Sequence, residues 1–265
     1  MRRGGRGVPT DGPSWDWIAS SWSNDAVPLW RLQSDAVNAA LLERWLPARR
    51  LEAVLKTDLF DELTAPGLYP VLSRHARRVV GVDVSPVVVE AAGRRHRALD
   101  GVAADVRALP FRDRSFDVVV SNSTLDHLPS RDAVAAALGE LRRVLRPRAS
   151  LIVTLDNPHN PLIALRYALP ASTVAHLRGV HFGFGWTCDS RELRELLETT
   201  GFAVRRQTAI LHLPRVLLVA AGRGVRSAPA RQRWLRAART AERAEALPTR
   251  YLTGHFVAAV AERRS

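Results

Sequence analysis

Two valine-rich runs, Val79-Val80-Gly81-Val82-Asp83-Val84 and Val118-Val119-Val120, constrain this chain more than any other feature. Apolar runs of that length without polar alternation belong to strands buried on both faces. Such strands form parallel sheets, and parallel neighbours need crossovers long enough to hold a helix. Helices are readable between them. Ser85 followed by Pro86 opens one through about His96, with a capping hydroxyl and a residue whose missing N–H costs nothing in the first turn. Ser130 or Asp132 opens another, whose Val134, Leu138, Leu141 and Leu145 share an apolar face before Pro147. Further strands are expected at Leu51–Leu55, Val102–Ala104, Phe116–Val120, Leu151–Leu155, Phe202–Ile210 and Tyr251–Val260. Asp189 or Ser190 caps the helix that Gly201 stops. The fold class is α/β, a doubly wound sheet with right-handed crossovers.

The first half-hundred residues lie outside that rhythm. Residues 1–50 read as an N-terminal extension: a Gly/Pro-rich start expected to be disordered, then Trp15, Trp17 and Trp22, then a helix capped by Asn24 or Asp25 and ended by Pro47. Residues 51–265 are the main domain. Two segments interrupt it. One is a lid at about 156–186, ending in His181-Phe182-Gly183-Phe184-Gly185-Trp186. The other is a helical excursion at about 213–247.

Composition removes several classes. A 46% hydrophobic content excludes a disordered chain, and one cysteine, Cys188, excludes a disulfide framework. Arg2, Arg3 and Arg6 are followed by no apolar stretch, so no secretory leader is read and a cytoplasmic protein is expected. The net charge of +13 invites a nucleic-acid reading. Yet Lys56 is the only lysine among 39 basic residues. Arginine is raised throughout, as GC-rich coding would raise it. The eight arginines between 223 and 250 read as a solvated helix face.

Ligands of a doubly wound sheet sit at the carboxyl ends of its strands. Asp83 closes the second strand, where a carboxylate can accept both hydroxyls of a ribose; Val84 stands beside it. The N-cap role is already filled by Ser85. Asp105, in Ala104-Asp105-Val106, can accept from an adenine amino group or simply close a turn. Lys56-Thr57-Asp58, Ser121-Asn122 and Asp156-Asn157 end the first, fourth and fifth strands. His127 and His159 are candidate general bases, and His181 is a third. Each could equally be a surface or capping histidine. Asn157 and Asn160 could hold an acceptor by hydrogen bonds. No P-loop, nucleophile elbow or G-x-G-x-x-G turn occurs.

Val80-Gly81-Val82-Asp83-Val84-Ser85, Ala104-Asp105-Val106 through Leu109-Pro110-Phe111, Ser115 through Asn122, Leu125-Asp126-His127-Leu128 and Leu141 through Pro147 follow one another in the order and spacing of class I S-adenosylmethionine-dependent methyltransferases. The chain resembles that family, of the methyltransferase type 11 kind, over about 51–210. The resemblance implies a Rossmann-like, mostly parallel seven-stranded sheet with an antiparallel last strand, and S-adenosylmethionine as cofactor. It implies that Asp83 binds the ribose, Asp105 and the amide of Val106 the adenine, and Ser121 and Asn122 the methionine side. One segment departs from the pattern. Lys56 stands where the family has an acid, and Asp58, Phe60 and Glu62 stand at three glycine positions. The acids could pair with the cofactor's ammonium or sulfonium, and Lys56 with its carboxylate. Alternatively Lys56 and the acids pair with one another. No histidine is spaced to join Asp58, Asp61 and Glu62 in a metal site. The resulting expectation is methyl transfer to a small-molecule acceptor. A non-catalytic binding module and a nucleic-acid methyltransferase are the alternatives.

Overall fold

A computed structural model describes residues 15–16, 27–169, 185–225 and 227–265. The expected disorder at the start, the Asn24 or Asp25 cap, Trp17 and Trp22, and the lid residues His181, Phe182 and Phe184 lie outside them. Helix α1 (Leu29–Trp45) precedes strand β1 (Leu51–Thr57), and α2 (Phe60–Thr64) and α3 (Tyr69–His75) lead to β2 (Ala76–Asp83). Helix α4 (Pro86–Arg95) joins β2 to β3 (Leu99–Ala103), and β4 (Phe116–Asn122), α5 (Arg131–Val144) and β5 (Leu145–Asp156) follow. The chain continues through α6 (Pro161–Ala168), α7 (Ser190–Thr199), β6 (Phe202–Ile210), α8 (Arg215–Gly224), α9 (Ala228–Ala241), α10 (Arg250–Thr253) and β7 (Phe256–Arg263).

The seven strands form one sheet in the order β3-β2-β1-β4-β5-β7-β6. All pairings are parallel except those of β7, which runs antiparallel to both β5 and β6. Strand order reverses between β1 and β4, so the cleft opens beyond Thr57 and Asn122.

Both faces of the sheet are covered. Helices α5 and α7 bury Val134, Leu138, Leu141, Leu193, Leu196 and Leu197 against one face. Each leucine removed from water there contributes roughly 1.5–3 kcal/mol. Helices α1, α3 and α4 cover the other face with Leu42, Leu72, Val88 and Ala92. Helix α1 also packs Val37 and Leu41 on Ile210 and Phe256, joining the N-terminal extension to the last two strands. The caps fall where the side chains predict: the hydroxyls of Ser85 and Ser130 and the carboxylate of Asp189 accept amides of their first turns. At the opposite end of the sheet, buried Asp117 accepts the amides of Glu52 (2.8 Å) and Ala53 (3.1 Å), locking β4 to β1. No helix among the described residues is long and apolar enough to cross a membrane.

Candidate active site

The glycine-poor turn after β1 is held by charge. Asp58 stands at the first glycine position with φ +132°. That backbone conformation is strained for any residue with a Cβ. Two hydrogen bonds hold it there: its amide donates to Val82 O (2.7 Å), and its Oδ1 accepts the amide of Phe60 (2.8 Å), starting α2. Lys56 turns inward, 1% exposed, and its ammonium donates to Glu62 Oε2 at 2.8 Å and to the carbonyl of Asp58. Glu62, also fully buried, uses Oε1 to accept the amides of Leu68 (2.8 Å) and Tyr69 (3.1 Å) at the start of α3. Gly67 adopts φ +61°, and a Cβ there would lie 2.5 Å from Glu62 Oε1. This glycine comes too late to form the family's turn, and instead lets the chain wrap the Glu62 carboxylate.

Helix α1 completes the cluster. Arg31 NH1 lies 2.5 Å from Asp61 Oδ1 and its NH2 lies 2.6 Å from Asp35 Oδ1. Asn122 Nδ2 donates to Asp61 Oδ2 at 3.3 Å. With Asp83 nearby, five carboxyl groups (Asp35, Asp58, Asp61, Glu62 and Asp83) surround two cations, Arg31 and Lys56. Burial opposes the charge on Lys56, but the fields of Glu62, Asp61 and Asp58 outweigh it and raise its pKa. Burial likewise pushes up Asp58, and Asp83 and Asp61 add to the push against the pull of Lys56. Burial raises Asp35 to about 7. Asp61 is held low, because Arg31 and Lys56 outweigh its burial. Arg215 adds to the pull on Asp61, and within the cluster burial and the neighbouring acids oppose the charge of Asp58.

Asp83 and Asp105 end adjacent strands. Asp83 pairs in register with Ala103, and the amide of Ala104 donates to Asp83 O at 2.9 Å. Asp83 Oδ2 accepts the amide of Leu59 (3.0 Å) and Oδ1 that of Ser85 (2.9 Å). A carboxylate has about four acceptor sites, so two remain for a diol. Val84 beside it is exposed. Asp105 is gripped by Arg107, with Nε at 3.0 Å from Oδ1 and NH2 at 2.6 Å from Oδ2, which lowers its pKa. Val106 is buried. Ser85 Oγ also donates to Asp16 of the N-terminal extension.

A cavity of about 400 Å³ opens at the ends of β1, β4 and β5 and the start of β7. Asp58, Asn122 and His127 line it together with Trp15, Trp30, Phe60 and Phe256. His127 Nδ1 is buried and has no hydrogen-bond partner among the described residues, and Trp15 meets the ring edge-on at 4.9 Å. The end of the lid fixes this turn: Gly185 N donates to Asp126 O (2.9 Å) and Trp186 N to Leu128 O (2.6 Å). A Cβ on Gly185 would come within 2.3 Å of Leu128 O.

Several predicted residues stand elsewhere. Lys56, Asp83, Asp105 and Val106 are not among the residues lining the cavity. Lys56 already has its partners among the acids. Thr57 and Ser121 are buried and join their hydroxyls at 3.0 Å between β1 and β4. His159 is 54% exposed, with Nε2 3.5 Å from Asp189, and lines no part of the cavity. Asn157 and Asn160 do not face an acceptor. Asn157 donates to Tyr251 O (2.6 Å) and Gly254 O (2.9 Å), and Asn160 donates to Thr253 O (2.9 Å). Both serve the turn before β7. Cys188 is buried, and burial pushes its thiol pKa up, which removes it as a nucleophile.

The sequence reading missed Arg31 and a second polar group in the cavity wall. Asp156 Oδ2 accepts from Arg166 and from Tyr167 Oη (3.1 Å), and Oδ1 lies 3.5 Å from His255 Nε2. The position of Asp156 at the end of β5 was the available signal. Nothing local marks Arg31 or His255, which reach the site only through α1 and β7.

Residues 67–153 match the family model described as a methyltransferase domain. A probable S-adenosylmethionine-dependent methyltransferase of Mycolicibacterium smegmatis is 31% identical over 137 residues, 52% of this chain and 48% of that protein. A demethylmenaquinone methyltransferase of Lactiplantibacillus plantarum is 31% identical over 161 residues, 58% of this chain and 61% of that protein. The chain spans about half or less of the first curated relatives it matches. Among solved structures, N-methyltransferase NodS of Bradyrhizobium japonicum bound to S-adenosyl-L-homocysteine superposes with a TM-score of 0.54 at 14% identity, covering 92% of each chain. The [4+2]-cyclase SpnF superposes with a TM-score of 0.58 at 19% identity, covering 92% of this chain and 86% of that one. These likenesses show the fold. In its strand order, its antiparallel β7 and its sequence matches, the chain is similar to class I S-adenosylmethionine-dependent methyltransferases.

Proposed function

We propose that this protein transfers a methyl group from S-adenosylmethionine to a small-molecule acceptor. The carrying observation is the cavity of about 400 Å³ at the strand-order reversal, where Trp15, Trp30, Phe60 and Phe256 stand beside Asp58, Asp61, Asp156, His127 and four arginines. A cavity with aromatic walls and a few converging polar groups suits a compact organic molecule. The cofactor, when bound, supplies an electrophilic methyl on a sulfonium. The residues fit it. A ligand with an ammonium and a sulfonium suits the carboxyl groups of Asp58 and Asp61, which face the cavity. Asp83 keeps acceptor capacity for two ribose hydroxyls. Asp105 and the Val106 amide serve the adenine edge. Asn122 borders the methionine side.

In this reading His127 accepts the proton of an acceptor hydroxyl, since its Nδ1 lacks a partner among the described residues. Trp15 and the lid end at Gly185-Trp186 keep water from the reacting atoms. The relatives named for menaquinone and ubiquinone methylation suggest apolar acceptors, whereas others are named for tRNA. The cavity favours the former. A second reading, a binding module without turnover, draws on the closed Lys56–Glu62 pair. The cyclase among the fold neighbours shows that this fold carries other reactions.

Two substitutions test the nucleoside assignment. Asp83→Ala is expected to weaken S-adenosylhomocysteine binding by at least tenfold. It also removes the acceptor for two amides, a loss of roughly 1–3 kcal/mol of stability. Asp105→Ala, whose carboxylate bonds only Arg107, is expected to weaken binding several-fold with an unchanged unfolding midpoint. Unchanged affinity in both variants, measured by calorimetry, would remove Asp83 and Asp105 from the site.

A further inference from the structure

A second recess lies on the β6 edge of the sheet, with no lining residue in common with the central cavity. It encloses about 590 Å³ between the C-terminal turn of α1, the middle of β6, the turn Glu242–Ala246 and the first residue of α10. Four arginines line it: Arg44, Arg206, Arg243 and Arg250. Arg44 is paired with Glu245 at 3.0 Å. Arg206, Arg243 and Arg250 enter no ion pair among the described residues. Glu242, the other acid in the wall, is turned to the backbone. Its Oε2 accepts the amide of Leu211 (3.0 Å), and its Oε1 accepts the amide of His212 (3.1 Å) and Gln33 Nε2 (3.1 Å). Burial also raises its pKa to about 7, which weakens it further as a counter-charge. Arg250 Nε is buried with no hydrogen-bond acceptor among the described residues. A buried guanidinium N–H without an acceptor is costly unless a ligand supplies one.

We propose that this recess binds a small phosphate-bearing molecule, gripped by Arg206, Arg243 and Arg250. Guanidinium forks match phosphate oxygens in pairs, and three of them supply the charge that a doubly ionised phosphate requires. A polynucleotide fits less well. The arginines of α9, at 231, 233, 236 and 239, are not among the residues that line the recess. The inference stands apart from the methyl-transfer reading.

The test is a calorimetric titration of the full chain with inorganic pyrophosphate, and in parallel with mixed-sequence single-stranded RNA, at ~0.15 M salt. Saturable one-to-one binding of pyrophosphate is expected. Arg206→Gln with Arg243→Gln is expected to weaken it by about tenfold or more, with the unfolding midpoint unchanged because both side chains are exposed. Absence of saturable binding would overturn the proposal, as would equal affinity in the double variant. Binding of RNA without binding of pyrophosphate would also overturn it and mark a polyanion surface instead.

Discussion

Lys56→Met is expected to cost about 3–5 kcal/mol of folding stability, the scale for removing one partner of a buried ion pair. Whole domains are stable by roughly 5–15 kcal/mol, so the variant should be near the edge of folding. The reason is specific to this turn. Among the described residues Lys56 is the only cation in contact with Glu62, and it lies 3.9 Å from Asp61 while holding the Asp58 carbonyl. Its loss leaves the Glu62 carboxyl fully buried without its cation, facing two backbone amides. A second substitution separates charge from packing. Glu62→Gln added to Lys56→Met keeps an oxygen for the Leu68 and Tyr69 amides and removes the stranded carboxyl. The double variant should therefore recover more than ~1 kcal/mol relative to the single one, a coupling typical of residues in direct contact. Urea unfolding of the four proteins of this cycle measures it. A Lys56→Met variant as stable as the parent would mean that the ion pair does not hold the turn.

Asp58→Gly is expected to separate stability from ligand binding. At φ +132° the aspartate carries strain of about 1–3 kcal/mol that glycine does not. Glycine loses the bond to the Phe60 amide, about 1 kcal/mol, but it also removes a buried carboxylate crowded by Asp83 and Asp61. The variant should be at least as stable as the parent. Its affinity for S-adenosylmethionine should fall by roughly 10–100-fold, since a hydrogen bond to a charged group contributes about 1.5–3 kcal/mol. The pH dependence carries the same sign. Burial raises the Asp58 pKa, and a cationic ligand binds its ionised form, so parental affinity should climb as pH rises above the ordinary carboxylate range. The glycine variant should lose the part of that climb due to Asp58. A variant that unfolds more easily and binds as before would make Asp58 a capping residue alone.

The strand framework was legible because local and tertiary preferences agree. The valine runs of β2 and β4, the caps at Ser85, Ser130 and Asp189, and the stop at Gly201 (φ +90°) each carry their own signal. Misreadings cluster where distant partners decide. Tyr251 was expected to open the last strand, but the carbonyls of Tyr251, Thr253 and Gly254 receive Asn157 and Asn160. The chain coils into α10 there, and β7 starts at Phe256. Pro147 was read as the end of a helix, yet β5 already begins at Leu145, with Arg148 at φ +61° within it. Helices α2 and α3 are short and were not foreseen; Glu62 and Gly67 organise them across the turn. The places of Asp83 and Asp105 at the ends of adjacent strands were readable from the strand pattern alone. The closure of Lys56 on Glu62 stood as one of two alternatives, and burial selects it. Arg31 was invisible, because only folding brings α1 onto Asp61.

The central claim is that a turn clamped by Lys56 and Glu62 still serves a cofactor site. Calorimetric titration of the intact protein with S-adenosylmethionine, and with its demethylated product, tests it most directly. Saturable micromolar binding of both is predicted, with the sulfonium form bound more tightly because the Asp58 carboxyl faces the cavity. Absence of binding by either ligand at millimolar concentration would contradict the claim.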